Sequence, residues 1–213
     1  MQYPDFDPTD VQWRIRSYQD VWDELLARNP RGRALVVGID GHSGSGKTTL
    51  ARGLAALDRN TAVVHTDDLA WHHSFFGWGE LLIDHLLTPA REGHLPINYR
   101  PPAWVRRDRT GAITIPEGTS AVLVEGVGVA RREVRPWLDV VVWVHARPEV
   151  GRRRVIAKGV DTEEFVDDWM NEENVFLAEH RPWDVADVVV AGELGQPALT
   201  GRYGNVVTAS GPV

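Results

Sequence analysis

Residues 34–51 read Ala34-Leu35-Val36-Val37-Gly38-Ile39-Asp40-Gly41-His42-Ser43-Gly44-Ser45-Gly46-Lys47-Thr48-Thr49-Leu50-Ala51. The first six residues form an apolar run without alternation, the pattern of a strand buried on both faces of a parallel sheet. Gly41 to Thr48 then satisfies the spacing G-x-x-x-x-G-K-[ST] at every fixed position. Leu50, Leu54 and Leu57 continue at helical spacing. Strand, glycine-rich loop and helix in this order make a phosphate cradle. The glycines let successive N–H groups turn inward, with the positive end of the following helix beneath them.

Outward from this stretch, Ala62-Val63-Val64-His65, Ala121-Val122-Leu123-Val124 and Val140-Val141-Val142-Trp143-Val144 repeat the buried-strand pattern, and Val185 to Ala191 supplies a fifth. Helical patterns lie between them, at Leu81, Leu82, His85 and Leu86 and at Val150 to Lys158. Strands alternating with helices predict a doubly wound α/β fold, a five-stranded mostly parallel sheet with helices on both faces. The turn-prone Asp108-Arg109-Thr110-Gly111 predicts a small hairpin over Val105 to Ile115, inserted before the third core strand. An amphipathic helix over 17–28 opens on Ser17 and Asp20, spaced as a capping box. Residues 162–177 predict a helix with Phe165, Trp169, Phe176 and Leu177 inward. Its acids Glu163, Glu164, Asp167, Asp168, Glu172 and Glu173 are expected on a solvated face. The organisation expected is a helical arm over 1–32, one core domain over 33–194 and a loose tail over 195–213.

The bulk properties narrow the chemistry. A chain of 213 residues suits one well-buried domain. A formal charge of −7 gives no general reason to bind nucleic acid. The absence of cysteine removes disulfides, thiolate zinc sites and thiol nucleophiles. No apolar stretch approaches the ~20 residues of a membrane span and no leader pattern opens the chain, so a cytoplasmic protein is expected.

The cradle implies a nucleoside triphosphate, ATP, with Mg²⁺. Gly41, Ser43, Gly44, Ser45, Gly46, Lys47, Thr48 and Thr49 are its expected binding set, with Lys47 reaching the β- and γ-phosphates and the Thr48 hydroxyl on Mg²⁺. Asp67-Asp68 follows the second strand at the edge where open α/β sheets gather ligands. A carboxylate there can take a proton from a hydroxyl, or simply cap the next helix. Glu125 closes the third strand, placed to hold Mg²⁺ or an acceptor, or to face water. Arg152-Arg153-Arg154 and Lys158 on the helix after the fourth strand either close over a transferring phosphoryl group, with Arg154 first and Arg152 second, or form a solvated charged face. The aromatic stretch Trp71 to Trp78 either walls an acceptor pocket, Trp71 foremost, or belongs to the core. His72 and His73 have no partner at zinc-ligand spacing.

Residues Gly38 to Ala51, Asp67-Asp68 and Val124-Glu125-Gly126 together resemble the uridine kinase family, with its nicotinamide riboside kinase and phosphoribulokinase-like relatives, over about residues 33–192. The resemblance implies a P-loop NTPase fold with a lid and transfer of the ATP γ-phosphoryl group to a small-molecule hydroxyl. It implies Asp67 as base and acceptor ligand, sharing the metal with Thr48 and Glu125, and lid arginines at Arg152 and Arg154. Leu87 to Tyr99 is similar to the family's stretch leading to a substrate-lining Pro-x-Tyr-Asp element, which implies substrate contacts at Tyr99. Arg100 stands where that element has its acid, and Leu69-Ala70 follows the Asp pair in place of an aromatic pair. Those departures turn the expectation from uridine toward an anionic acceptor, since a guanidinium binds carboxylate or phosphate in two-pronged fashion. The expected partner is a small-molecule acceptor, in a protein free to form a homodimer. Two other readings stay open on sequence: a nucleotide-dependent switch using residues 1–30 as a docking arm, and an idle ATP-sensing module.

Overall fold

The structure is a computed structural model that describes residues 7–9, 11–29, 32–193 and 205–210. In chain order the elements begin with β1 (Arg14–Ser17), α1 (Tyr18–Leu26), β2 (Leu35–Asp40), α2 (Lys47–Ala55), β3 (Thr61–His65) and α3 (Thr66–Ala70). A continuous helical stretch follows, α4 (Gly79–Leu82), a π-turn (Ile83–Leu87) and α5 (Thr88–Arg91). Next come β4 (Ile97–Tyr99), α6 (Pro102–Arg106), β5 (Ile113–Ile115), β6 (Ala121–Glu125), β7 (Val140–His145), α7 (Pro148–Ala157), α8 (Glu163–His180), β8 (Val188–Ala191) and β9 (Asn205–Ser210).

The main sheet runs β1-β9-β8-β7-β2-β6-β3. Its five strands β3, β6, β2, β7 and β8 are parallel throughout, which is the mostly parallel α/β core expected. Alternate residues of β2 explain the layering. Leu35, Val37 and Ile39 pack with Val21, Trp22 and Leu25 of α1 and Leu50 and Leu54 of α2. Val36 instead joins Leu69, Trp78, Leu82 and Leu86 on the opposite face. A third cluster around Trp143, Leu177 and Trp183 fills the sheet beneath α8.

Five expectations change. The sheet has seven strands, because β9 pairs antiparallel with β8 and with β1. Residues 205–210 of the expected loose tail are therefore a sheet strand, while 194–204 and 211–213 lie outside the described residues. Likewise α1 is no separate arm: Val21, Trp22 and Leu25 are core residues, and the Ser17–Asp20 capping box forms as read. The hairpin exists with other strands, since β5 pairs with β4 and Val105 sits in the intervening helix α6, whose start carries Pro101-Pro102. Finally, the last parallel strand starts at Val188, because Pro182–Val185 is a 3₁₀ turn.

Candidate functional site

Asp40 ends β2 fully buried and organises the loop that follows. Its Oδ1 accepts the N–H of Gly41 at 2.7 Å and of Gly128 at 2.8 Å, and its Oδ2 accepts that of Ala130 at 2.8 Å. Burial pushes the Asp40 carboxyl up, against those three N–H bonds. Gly44 and Gly46 then take φ of 73° and 111°, the left-handed region open to glycine, and Gly46 leads into α2. The loop is close-packed. The Ser45 N–H donates to the His42 carbonyl at 3.0 Å, and the buried Lys47 ammonium donates to the carbonyls of Gly41 and His42 at 2.8 and 2.9 Å. Thr48 and Thr49 occupy the first turn of α2, with Thr49 exposed.

The strand tips bring the acids to this loop. The Thr48 hydroxyl donates to Glu125 Oε1 at 2.9 Å, and His65 Nδ1 meets the same oxygen at 2.5 Å. His65 and Glu125 are register partners on adjacent parallel strands, so both reach the same edge. Burial raises the Glu125 carboxyl, but the His65 hydrogen bond, the Lys47 charge and the Thr48 hydroxyl outweigh it and hold it below its ordinary value. His65 is correspondingly raised by that hydrogen bond. Asp67, on the first turn of α3, keeps one side open to the cleft. Crowding by the protein raises its carboxyl above the usual aspartate value; Glu125 adds to the rise and Lys47 opposes it. Gly126 makes room in a direct sense: a Cβ there would stand 1.7 Å from the Thr66 hydroxyl.

The two arginines expected to close over the loop diverge. Arg154 reaches the loop, its Nη1 donating to the Gly44 carbonyl at 3.1 Å. Arg152 turns to α8 and pairs with Asp167 at 2.6 Å and Glu163 at 3.3 Å. The face of α8 that the acid pattern assigned to solvent is split. Glu163, Glu164, Asp167, Asp168 and Glu172 are exposed, whereas Glu173 is wholly buried against the loop. It accepts from His42 Nδ1 at 2.8 Å and from the Ser43 N–H at 3.0 Å. The physical reason is that the loop offers an uncapped N–H and a ring nitrogen, which compensate a buried carboxylate.

On the other side of Asp67 lies an aromatic and basic wall. Asp68 does not face the cleft acids; its carboxylate holds Arg109 Nη2 at 2.6 Å and its carbonyl accepts from Trp104 Nε1 at 2.8 Å. The Arg109 guanidinium lies 3.6 Å from the Trp104 ring centre and 5.0 Å from that of Trp71. Trp71 thus lines this wall, while Phe75 and Phe76 pack on Trp169 and Phe176 of α8 and Trp78 is core. Tyr99 stacks on His85 at 4.3 Å, and burial raises its phenol. Arg100 is exposed and donates to the Arg109 carbonyl at 2.7 Å. The sequence reading did not single out Asp40, His65, Arg109, Trp169 or Glu173. Asp40 and His65 carried a signal, each a polar residue ending a strand beside the one ended by Glu125.

Among the described residues no cluster of three or more His, Asp or Glu side chains is arranged to hold a metal alone. No helix among them is long and apolar enough to cross a membrane. No protein-family model matches the chain, and no curated protein does. Solved structures do. One described as a possible uridine kinase from Bacillus stearothermophilus is 25% identical over 81% of this chain and 96% of its own, with a TM-score of 0.53. A putative fructose transport system kinase from Silicibacter sp. is 16% identical over 78% and 93%, with a TM-score of 0.57. A D-glycerate 3-kinase from Cryptococcus neoformans is 14% identical over 82% and 94%, with a TM-score of 0.55. The chain therefore has the fold of the uridine kinase-like P-loop kinases.

Proposed function

We propose that the protein is an ATP-dependent phosphotransferase that moves the γ-phosphoryl group onto a hydroxyl of a small metabolite, nucleoside, riboside or sugar-like in kind. The observation that carries this reading is the meeting of Thr48 and Glu125 at 2.9 Å beside Asp67, where the phosphate loop adjoins the tip of the neighbouring strands. The residues fit the implied cofactor. Thr48 and Glu125, with Asp67 beside them, are hard oxygen donors of the kind Mg²⁺ takes, a cation that fills its remaining positions with water and phosphate oxygens. When bound, ATP and Mg²⁺ supply the transferable group and the charge neutralisation that its departure requires.

The chain's own residues do the rest. Asp67, its carboxyl raised toward the working range of a base, accepts the proton of the acceptor hydroxyl. Lys47, at the end of the loop, and Arg154, which reaches the loop from α7, direct positive charge at the transferring group. The basic wall of Arg109 and Arg100 supports a carboxylate- or phosphate-bearing acceptor over a neutral nucleoside. A coupled ADP-release screen over nucleosides, ribosides, sugar phosphates and small hydroxy acids tests the proposal. ADP release that depends on one acceptor class and is lost in Lys47→Ala and Asp67→Asn is the expected result. ATP hydrolysis indifferent to every acceptor would contradict it.

A further inference from the structure

The phosphate loop of this protein is built from outside its own motif. Glu173, on the third turn of α8, is 0% exposed and lies 130 positions from the residue it grips. Both of its oxygens accept the Ser43 N–H, at 3.0 and 3.2 Å, and Oε1 also takes the His42 Nδ1 proton at 2.8 Å. One turn earlier, Trp169 donates its indole N–H to the Ser43 hydroxyl at 2.7 Å. Two consecutive loop residues are thereby held on main-chain and side-chain groups alike.

A buried carboxylate is costly unless its lone pairs are filled. A surface helix has no need of one at this position, where an apolar residue would pack as well. The loop, by contrast, needs a fixed shape. Between Asp40, which anchors Gly41, and Lys47, which opens α2, the residues His42 and Ser43 have no strand or helix to define them. Their orientation sets where the following amides of Gly44 to Thr48 point.

We propose that Glu173 is the positioning residue of the phosphate loop, holding Gly41–Thr48 in its nucleotide-receiving shape through Ser43 and His42, with Trp169 as its auxiliary. The proposal rests on the ATP reading given above. Glu173 touches neither nucleotide nor acceptor in this role; it acts by fixing the amides that do. Because Trp169 and Glu173 share α8 with Asp167, the partner of Arg152, the same helix holds both the loop and the lid helix α7.

The test uses the full chain and three readouts: MgATP affinity by titration calorimetry, melting temperature, and hydrogen exchange over residues 41–48. Loss of a charge-assisted hydrogen bond predicts that Glu173→Gln weakens MgATP by about tenfold or more and speeds exchange of the Ser43 amide to a similar degree. The acceptor KM at saturating ATP stays unchanged. Trp169→Phe keeps the ring contacts and loses only the indole donor, so it shifts both readouts in the same direction by less. This second variant also decides the matter if Glu173→Gln does not fold. A merely structural Glu173 would lower the melting temperature and leave the affinity of the folded protein as in wild type, and that result overturns the proposal. Failure of the wild type to bind MgATP is a separate outcome, which removes the ATP reading and this inference with it.

Discussion

Replacing Gly151 by alanine sets two effects of known size against each other. Gly151 is buried inside α7, where alanine would ordinarily stabilise the helix by ~1 kcal/mol. Here, however, a Cβ would stand 2.4 Å from the Ser43 carbonyl oxygen, while a Cβ on Gly44 would stand 2.3 Å from the Gly151 carbonyl oxygen. Carbon and carbonyl oxygen sit about 3.3–3.6 Å apart in tight contacts, so roughly 1 Å of separation has to be created. The obstacle is main chain held by Asp40 and Glu173, which cannot rotate aside as a side chain can. Overpacking costs ~1–3 kcal/mol, and a rigid obstacle places this case near the top, leaving a net loss of about 2 kcal/mol. At about 2–4 °C per kcal/mol for a chain of this size, the melting temperature falls by about 4–8 °C, read by circular dichroism. Calorimetry on the same variant should also show weaker MgATP binding, since α7 carries Arg154 away from the Gly44 carbonyl. A variant that melts above wild type and binds nucleotide equally well would refute the seating of α7 on the loop.

Five further outcomes follow from the same geometry. Asp67→Asn should lower kcat by ~10²–10⁴ with little change in melting temperature. In the wild type the acid limb of kcat should lie above the ordinary aspartate value of 3.8, activity falling as pH drops through it, because the folded carboxyl is raised. Arg154→Ala should reduce kcat in the coupled assay far more than Arg152→Ala, since Arg154 lies on the loop and Arg152 on the acids of α8. Leu25→Ala should cost ~2–5 kcal/mol in equilibrium denaturation, as expected of a fully buried core leucine and not of a detachable arm. For Glu173, burial raises the carboxyl but the His42 and Ser43 hydrogen bonds and the Lys47 charge prevail, so its folded value lies below the ordinary 4.5. The stability it lends is present above the unfolded value and is lost as pH falls through the folded one, so acid titration of Glu173→Gln should show a shallower loss than wild type.

Local sequence carried the parallel core because β2, β6, β7 and β8 are apolar on both faces, and such runs have few alternative fates in a folded chain. The loop over Gly41–Thr48 was legible for the same reason: its glycines and lysine act within eight consecutive residues. The meeting of Thr48 with Glu125 followed from the loop and the end of β6 sharing one edge of the sheet. The strands β1 and β9 were not legible, since β1 is short and carries two arginines, and β9 lies in a stretch punctuated by Gly201, Gly204 and Gly211. Their pairing depends on which edge of the sheet is left open, a property of the assembled molecule.

Residue type at short spacing sufficed for the five-stranded parallel core, the glycine-rich loop over Gly41–Thr48 and the acids that follow the strands. Only the tertiary structure decided that Arg154 rests on the loop while Arg152 turns to Asp167, that Arg109 lies between Trp71 and Trp104, and that Glu173 leaves its acidic neighbours to seat beneath Ser43. In each case at least one deciding partner lies outside the local segment: Gly44 for Arg154, Asp167 for Arg152, Trp71 for Arg109 and Ser43 for Glu173. Identical residue types on one helix were separated by a turn of about 100° per residue relative to a neighbour that only packing supplies.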